Sequence, residues 1–339
     1  MNPIYWVLIY AVLASLVVFL SIKLSNYVDL LDKKTKVSGA LLGGILLAGV
    51  TSLPELFTSL TGTLIVGDNK LVLGNIMGSD FFDIVIFGVV YFLFFKKFTQ
   101  GKVGKQHYIT CLFTAFMLIA VTIAGFVFDK NRWVLFGWFN PMSILIIIIY
   151  VLSVIFTPKT EEKEDKEEVD TKLTVKQIWI LLAIFSLFLI GASISVTIVT
   201  EKIVEGFSIG NTFGGSLFLG IATSLPEVTA TISLCKKKNF DAAYGDILGS
   251  CVFNIIILGI ADVVSFKAGP LYNINNESFM LIIGTAFCLL LTLISIFFIR
   301  SKYFKNNLKS RIFLYSIATL LISSYIVYLI LATSGVSII

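Results

Sequence analysis

Charged residues, histidine and cysteine are all scarce in this sequence of 339 residues. Only 14% of the residues are charged and 57% are hydrophobic, whereas a soluble protein of this length needs far more polar surface. The single histidine, His107, leaves no imidazole cluster for zinc or a proton relay, and we expect it to be a solvated loop residue. The four cysteines are widely spaced without a CxxC pair, which argues against a disulfide framework or a thiolate metal site. The composition predicts a polytopic membrane protein.

Motifs of soluble functions are missing as well. The sequence has no phosphate-binding loop and no Ser/His/Asp set, so we do not expect an enzyme or a bound cofactor. The formal net charge is +5, but the lysines lie in short clusters between apolar segments, which does not favour nucleic-acid binding. The lipid bilayer is the expected partner, and nothing in the sequence indicates an obligate protein partner.

Long apolar runs are what the sequence has in abundance. Runs of roughly 20 residues predict an all-α protein with ten transmembrane helices. These spans are expected near 4–28, 38–64, 70–95, 107–127, 133–157, 175–200, 209–234, 240–265, 276–299 and 312–334. The first run lacks the basic start and the cleavage site of a signal peptide, so we expect it to be retained.

Lysine and arginine are distributed unevenly between the loops. The first, third, seventh and ninth loops carry fifteen of these residues, whereas the even-numbered loops carry five. The positive-inside rule therefore places the odd-numbered loops in the cytoplasm and both termini outside the cell. The expected location is the plasma membrane.

The chain divides into two similar halves around one hydrophilic linker. Residues 158–174 contain the charged stretch PKTEEKEDKEEVDTK, which we interpret as a solvated cytoplasmic connector between residues 1–157 and 175–339. TSLPE occurs at 51–55 and again at 223–227, and each copy is followed by a related glycine-serine stretch, GNIMGSDFFD or GDILGSCVFN. Each half has five predicted spans, and five is odd, so the second copy enters the membrane from the opposite side. Inverted-topology repeats of this kind are typical of secondary transporters with a site at mid-membrane.

The repeated TSLPE places a proline and a glutamate at mid-span. Pro54 and Pro226 leave the carbonyl groups four residues before them without a helical donor, and a cation could bind there. The alternative is an ordinary proline kink, in which a serine or threonine side chain satisfies the carbonyl group. Glu55 and Glu227 each cost about 2.5 to 3.5 kcal/mol at that depth. Asp83 adds a third acid, and no lysine or arginine lies at matching depth, so the carboxylates must be protonated or paired with cations.

Other oxygen donors accompany these carboxylates in both copies. Asn254 follows Ser250 by four residues, as Asp83 follows Ser79, which is helical spacing and places each pair on one face. The candidate ligands by residue type are Glu55, Glu227, Asp83, Asn254, Thr51, Thr223, Ser52, Ser224, Ser79 and Ser250. A set of oxygens without sulfur or imidazole suits a hard cation such as Ca²⁺ or Na⁺.

At these residues the sequence resembles the cation/calcium exchanger superfamily, and most closely its prokaryotic-type sodium/calcium exchangers. The resemblance centres on two alpha motifs, 48–88 and 220–259. It implies a Ca²⁺/Na⁺ antiporter that binds its ions between spans two, three, seven and eight while spans one and six move. By position, Glu55 and Glu227 would bind calcium and also serve sodium, Thr51 and Thr223 would give carbonyl groups to calcium, and the sodium sites would use Ser52, Ser224, Ala48, Ser79 and Ser250.

The sequence departs from this family pattern at several positions, of which Gly220 in place of alanine should matter little. Asp83 and Asn254 exchange the amide and the acid of the archaeal pattern, so we expect Asp83→Asn combined with Asn254→Asp to be milder than either change alone. Asp80 and Asp246 are additional acids, either solvated helix-end residues or extra proton or cation sites. Calcium/proton exchange and potassium-dependent sodium/calcium exchange therefore stay open as alternatives. A cation channel is a further alternative, against which the inverted repeat argues.

Overall fold

The fold was obtained as a computed structural model. It describes residues 3–34, 49, 52–98, 103–126, 139–156, 173–236, 238–265, 271–301, 303–304 and 306–334. The predicted span at 38–64 lies partly outside these residues, and so does nearly all of the charged linker.

Within the described ranges the chain folds mainly into helices. We number them α1 Pro3–Lys34, α2 Leu53–Val66, α3 Asn69–Phe98, α4 Gln106–Phe126, α5 Pro141–Phe156, α6 Val175–Phe207, α7 Asn211–Lys236, α8 Phe240–Val263, α9 Asn276–Arg300 and α10 Leu308–Ser334. Eight of them are long and apolar enough to cross a membrane, while α2 and α5 are shorter apolar helices. For this part of the chain, the prediction of an all-helical membrane protein is confirmed.

Local capping sets the limits of several helices. At the start of α6 the Thr174 hydroxyl accepts from the Gln177 N–H at 3.3 Å, and the Thr174 N–H donates to Gln177 Oε1 at 2.8 Å. This capping box satisfies two of the backbone groups that a helix start leaves unpaired. The same helix ends at Ser208, whose φ of 52° is left-handed and cannot continue the helix.

Helices α3 and α8 form the centre of the molecule. Both are buried over most of their length, and together with α4, α9 and α10 they build the larger hydrophobic cluster. Helices α1 and α6 pack against each other and supply most of a second, separate cluster, which includes Val17, Leu24, Leu189 and Val196. The molecule therefore has a central core and a distinct α1/α6 pair.

The prediction for His107 is wrong. This residue lies in the first turn of α4 and is only 3% exposed, and its Nε2 is 2.8 Å from Asp241 Oδ1 at the start of α8. Asp241 also accepts from the Gln106 amide at 2.8 Å and from the Gly104 N–H at 2.5 Å. The partner is distant in sequence, so the lysine-rich surroundings of His107 misled the prediction.

Candidate cation-binding site

Helices α2 and α7 both carry the repeated proline and a wide π-helical turn. In α2, Pro54 lies in the first turn, where a missing N–H costs nothing, and the π-helical turn follows at Gly62–Val66. In α7, Pro226 lies inside the helix and leaves the Ala222 carbonyl without its helical donor, while the π-helical turn precedes it at Gly215–Gly220. The irregular backbone thus lies next to TSLPE in both halves.

Three carboxylates from three helices are buried near one another. Glu55 on α2, Asp83 on α3 and Glu227 on α7 are each 1% exposed. Glu55 interacts electrostatically with Asp83, and Glu227 interacts with both of them. Their oxygens accept no hydrogen bond from the residues that the structure describes, and no ion pair found there includes them. This much uncompensated buried charge requires protons or bound cations.

Hydroxyl groups from both halves lie beside these carboxylates. Ser79 on α3 donates to the Gly220 carbonyl at 3.3 Å and lies 3.4 Å from the Thr223 hydroxyl on α7. Thr223 faces Glu55, and Ser224 faces Asp83. Each of these pairs joins a residue of the first repeat to one of the second, so the structure brings the two predicted motifs together.

Several predicted hydroxyls are fully buried. The Oγ atoms of Ser52, Ser224 and Ser250 make no hydrogen bond to the described residues. Ala48 and Thr51 lie outside those residues. No three acidic, histidine or cysteine side chains within the described ranges already form a metal cluster. Among the described residues, the region is a buried group of acidic and hydroxyl side chains rather than a closed metal cage.

The additional acids are not solvated helix-end residues, so that interpretation is wrong. Asp80 is 0% exposed in the middle of α3, and its Oδ1 accepts from Nδ2 of Asn254 at 3.0 Å. Asp246 is 8% exposed within α8, and its Oδ2 accepts from the Thr231 hydroxyl at 3.1 Å. Both therefore belong to the buried polar interior.

A matching contact occurs in the two halves. Asn75 donates to the Ser59 hydroxyl at 3.2 Å, and Asp246 accepts from the Thr231 hydroxyl at 3.1 Å. Asn75 and Asp246 occupy the same place in their glycine-serine stretches, and Ser59 and Thr231 each lie four residues after the glutamate of TSLPE. Ser59 and Thr231 are not among the site residues predicted from the sequence, although their position relative to TSLPE was the available signal.

Glycines allow α3 to lie directly against the irregular part of α7. A Cβ atom on Gly78 would be 2.5 Å from Ser216 Cα, and one on Gly74 would overlap the Thr212 backbone. The glycines of the repeated stretch therefore determine how closely α3, which carries Ser79 and Asp83, packs against α7.

Comparison with known proteins finds one family model that matches most of the chain. The family model described as "Sodium/calcium exchanger protein" matches residues 4–158 and 177–334. The inner membrane protein YrbG of Escherichia coli (strain K12) is 26% identical over 290 residues, which cover 81% of this chain and 85% of YrbG.

Two solved structures with similar folds are named as exchangers of different coupling ions. The sodium-calcium exchanger NCX_Mj has a TM-score of 0.57 and 18% identity, and the match covers 95% of this chain and 99% of that one. The H⁺/Ca²⁺ exchanger CAX has a TM-score of 0.59 and 14% identity, with 98% of this chain and 89% of that one covered. At these identities the likeness concerns the fold, so it does not distinguish one coupling ion from the other.

Proposed function

Because this chain belongs to the sodium/calcium exchanger family, we propose that it exchanges Ca²⁺ for Na⁺ across the plasma membrane by alternating access and serves to extrude calcium. The family consists of membrane transporters rather than enzymes. The observation that carries the proposal is the buried group of Glu55, Asp83 and Glu227, whose charges have no protein counterion in the described residues. Calcium or a small group of sodium ions would supply the missing positive charge.

The proposed architecture is ten transmembrane helices arranged as two inverted five-helix repeats. The repeats are residues 1–157 and 175–339, joined by a cytoplasmic linker at 158–174, with both termini outside. Support comes from the matching contacts of Asn75 and Asp246 and from the loop charge asymmetry.

The proposed binding site uses oxygens from both repeats. Its residues are Glu55, Glu227, Asp83, Asn254, Thr51, Thr223, Ser52, Ser224, Ser79, Ser250 and Ala48. Glu55 and Glu227 would bind calcium and also sodium, so the site would hold either calcium or sodium ions at one time. Competition for shared carboxylates couples the two ion gradients when the site is exposed alternately to each side.

The α1/α6 pair is the proposed moving part. Its hydrophobic cluster is separate from the central one and includes only Leu71 of α3 and no residue of α8, so a shift of the pair would leave most of the central packing in place. The Tyr10 hydroxyl of α1 donates to the Phe218 carbonyl at 2.6 Å, in the π-helical turn of α7. A shift of α1 would therefore act directly on the irregular backbone next to the site.

Calcium/proton exchange is the second candidate function. The buried positions of Asp80 and Asp246 favour it, because they add two acids to the three carboxylates of the proposed site. Protons would then replace sodium as the counter-transported ion.

Flux measurements on the purified chain in lipid vesicles separate the two candidates. Vesicles loaded with sodium and diluted into sodium-free buffer should accumulate labelled calcium, and a calcium ionophore should release it. A Glu55→Gln protein in matched vesicles is the control, since it lacks one of the shared carboxylates. Uptake driven by a pH gradient but absent under a sodium gradient would contradict sodium coupling and favour the proton exchanger.

A further inference from the structure

Asp80 and Asn254 form a buried hydrogen bond across the two halves of the molecule. Asp80 lies on α3 next to the candidate ligand Ser79, and Asn254 lies on α8. The bond joins Nδ2 of Asn254 to Oδ1 of Asp80 at 3.0 Å, and both side chains are at most 1% exposed. Asp80 was not among the candidate ligands, whereas Asn254 was.

This contact fixes the orientation of the Asn254 amide. The NH₂ group of Asn254 donates to Asp80 Oδ1, so the carbonyl oxygen of Asn254 faces away from Asp80. That carbonyl oxygen is buried and has no partner in the described part of the chain. The opposite orientation would present NH₂ donors where a cation needs an oxygen.

The internal repeat supplies an independent argument. Asp83 is the counterpart of Asn254, and Cys251 is the counterpart of Asp80. A carboxylate has two equivalent oxygens and needs no partner to orient it, whereas an amide does. The chain therefore has an acid, Asp80, against the amide Asn254, and a cysteine, Cys251, at the equivalent position of the other repeat, where the counterpart of Asn254 is the acid Asp83. The two departures from symmetry form a matched pair.

We propose that Asp80 is a positioning residue of the cation site, which holds the Asn254 carbonyl oxygen towards the bound ion. It acts through its hydrogen-bond acceptor rather than through its charge. The inference rests on the proposed function, because it assumes that Asn254 contributes an oxygen to calcium. Partners that orient metal ligands in this way typically change metal affinity by about 10-fold to 100-fold when removed.

The test is calorimetric calcium binding by the full-length protein in detergent. Asp80→Asn keeps an acceptor oxygen and removes the charge, so its Kd should rise clearly less than that of a variant without an acceptor. Asp80→Leu has a similar shape and no acceptor, so its Kd should rise about 10-fold to 100-fold. Asp80→Ala provides the same deletion if the leucine variant does not elute as a single folded species.

A double-mutant cycle with Asn254→Ala tests whether Asp80 acts through Asn254. In that background Asp80→Leu should weaken binding no further. The inference is overturned if Asp80→Leu and Asp80→Ala bind calcium normally, if Asp80→Asn is as weak as Asp80→Leu, or if Asp80→Leu keeps its full effect without Asn254. A merely structural role would lower the melting temperature and leave the Kd unchanged. If the unchanged protein binds no calcium, the proposed function fails and this inference fails with it. In the other outcomes the unchanged protein binds calcium, so only the role of Asp80 is refuted.

Discussion

The structure changes the outcome that we expect when the acid and the amide of the two repeats are exchanged. From the sequence alone, Asp83→Asn combined with Asn254→Asp keeps the number of carboxylates and should be mild. In the structure, however, the new acid at position 254 would place an oxygen about where Nδ2 lies, 3.0 Å from Asp80 Oδ1. A favourable hydrogen bond would become a contact between two carboxylates.

The size of this effect follows from the distance. Two unit charges 3 Å apart repel each other by about 5.5 kcal/mol at an effective dielectric constant of about 20. Two carboxylates this close cannot both stay ionised, so the pair takes up a proton or moves apart. In either case the site loses charge or geometry. We expect the double exchange to transport calcium no better than Asp83→Asn alone.

Calcium uptake into sodium-loaded vesicles measures this directly. Adding Asp80→Asn to the double exchange should restore part of the uptake, because the new amide at position 80 can donate to the new acid at position 254. Each protein must first be shown to insert in equal amount. The reasoning is refuted if the double exchange exceeds Asp83→Asn alone, or if the added Asp80→Asn gives no recovery.

Two further predictions concern the carboxylates and the glycines. Glu55→Gln or Glu227→Gln should abolish calcium exchange without preventing insertion, and normal flux in either variant would exclude that residue from the site. Gly78→Ala should destabilise the protein by about 1 to 3 kcal/mol, since its Cβ would lie 2.5 Å from Ser216 Cα. Gly249→Ala at the equivalent position meets nothing within 4 Å among the described residues, so it should lower the melting temperature less than Gly78→Ala does. Equal melting temperatures for the two variants would contradict this account of helix packing.

The sequence was sufficient to predict the class of protein and its family. Apolar runs located the helices, and the repeated TSLPE indicated the cation/calcium exchangers, which the family match confirms. Helix ends were less predictable, because hydropathy marks only the apolar part of a helix. Helix α1 continues to Lys34 and α6 to Phe207, beyond the predicted limits at 28 and 200.

Contacts between distant residues were what the sequence could not provide. Asp80 was interpreted as either solvated or ion-binding, since its partner Asn254 lies 174 positions away. His107 was placed in a solvated loop for the same reason, as Asp241 lies 134 positions away. Local composition describes the neighbours in the chain, whereas burial and partners are decided by packing between helices.

Competition between sodium and calcium for one site is the central claim, and equilibrium binding tests it most directly. Calcium binding to the purified protein should be measured by calorimetry at increasing sodium concentration. The account predicts that the apparent Kd for calcium rises steadily with sodium and reaches no plateau, because Glu55 and Glu227 serve both ions. A calcium affinity that sodium does not change, or that levels off while both ions stay bound, would contradict it.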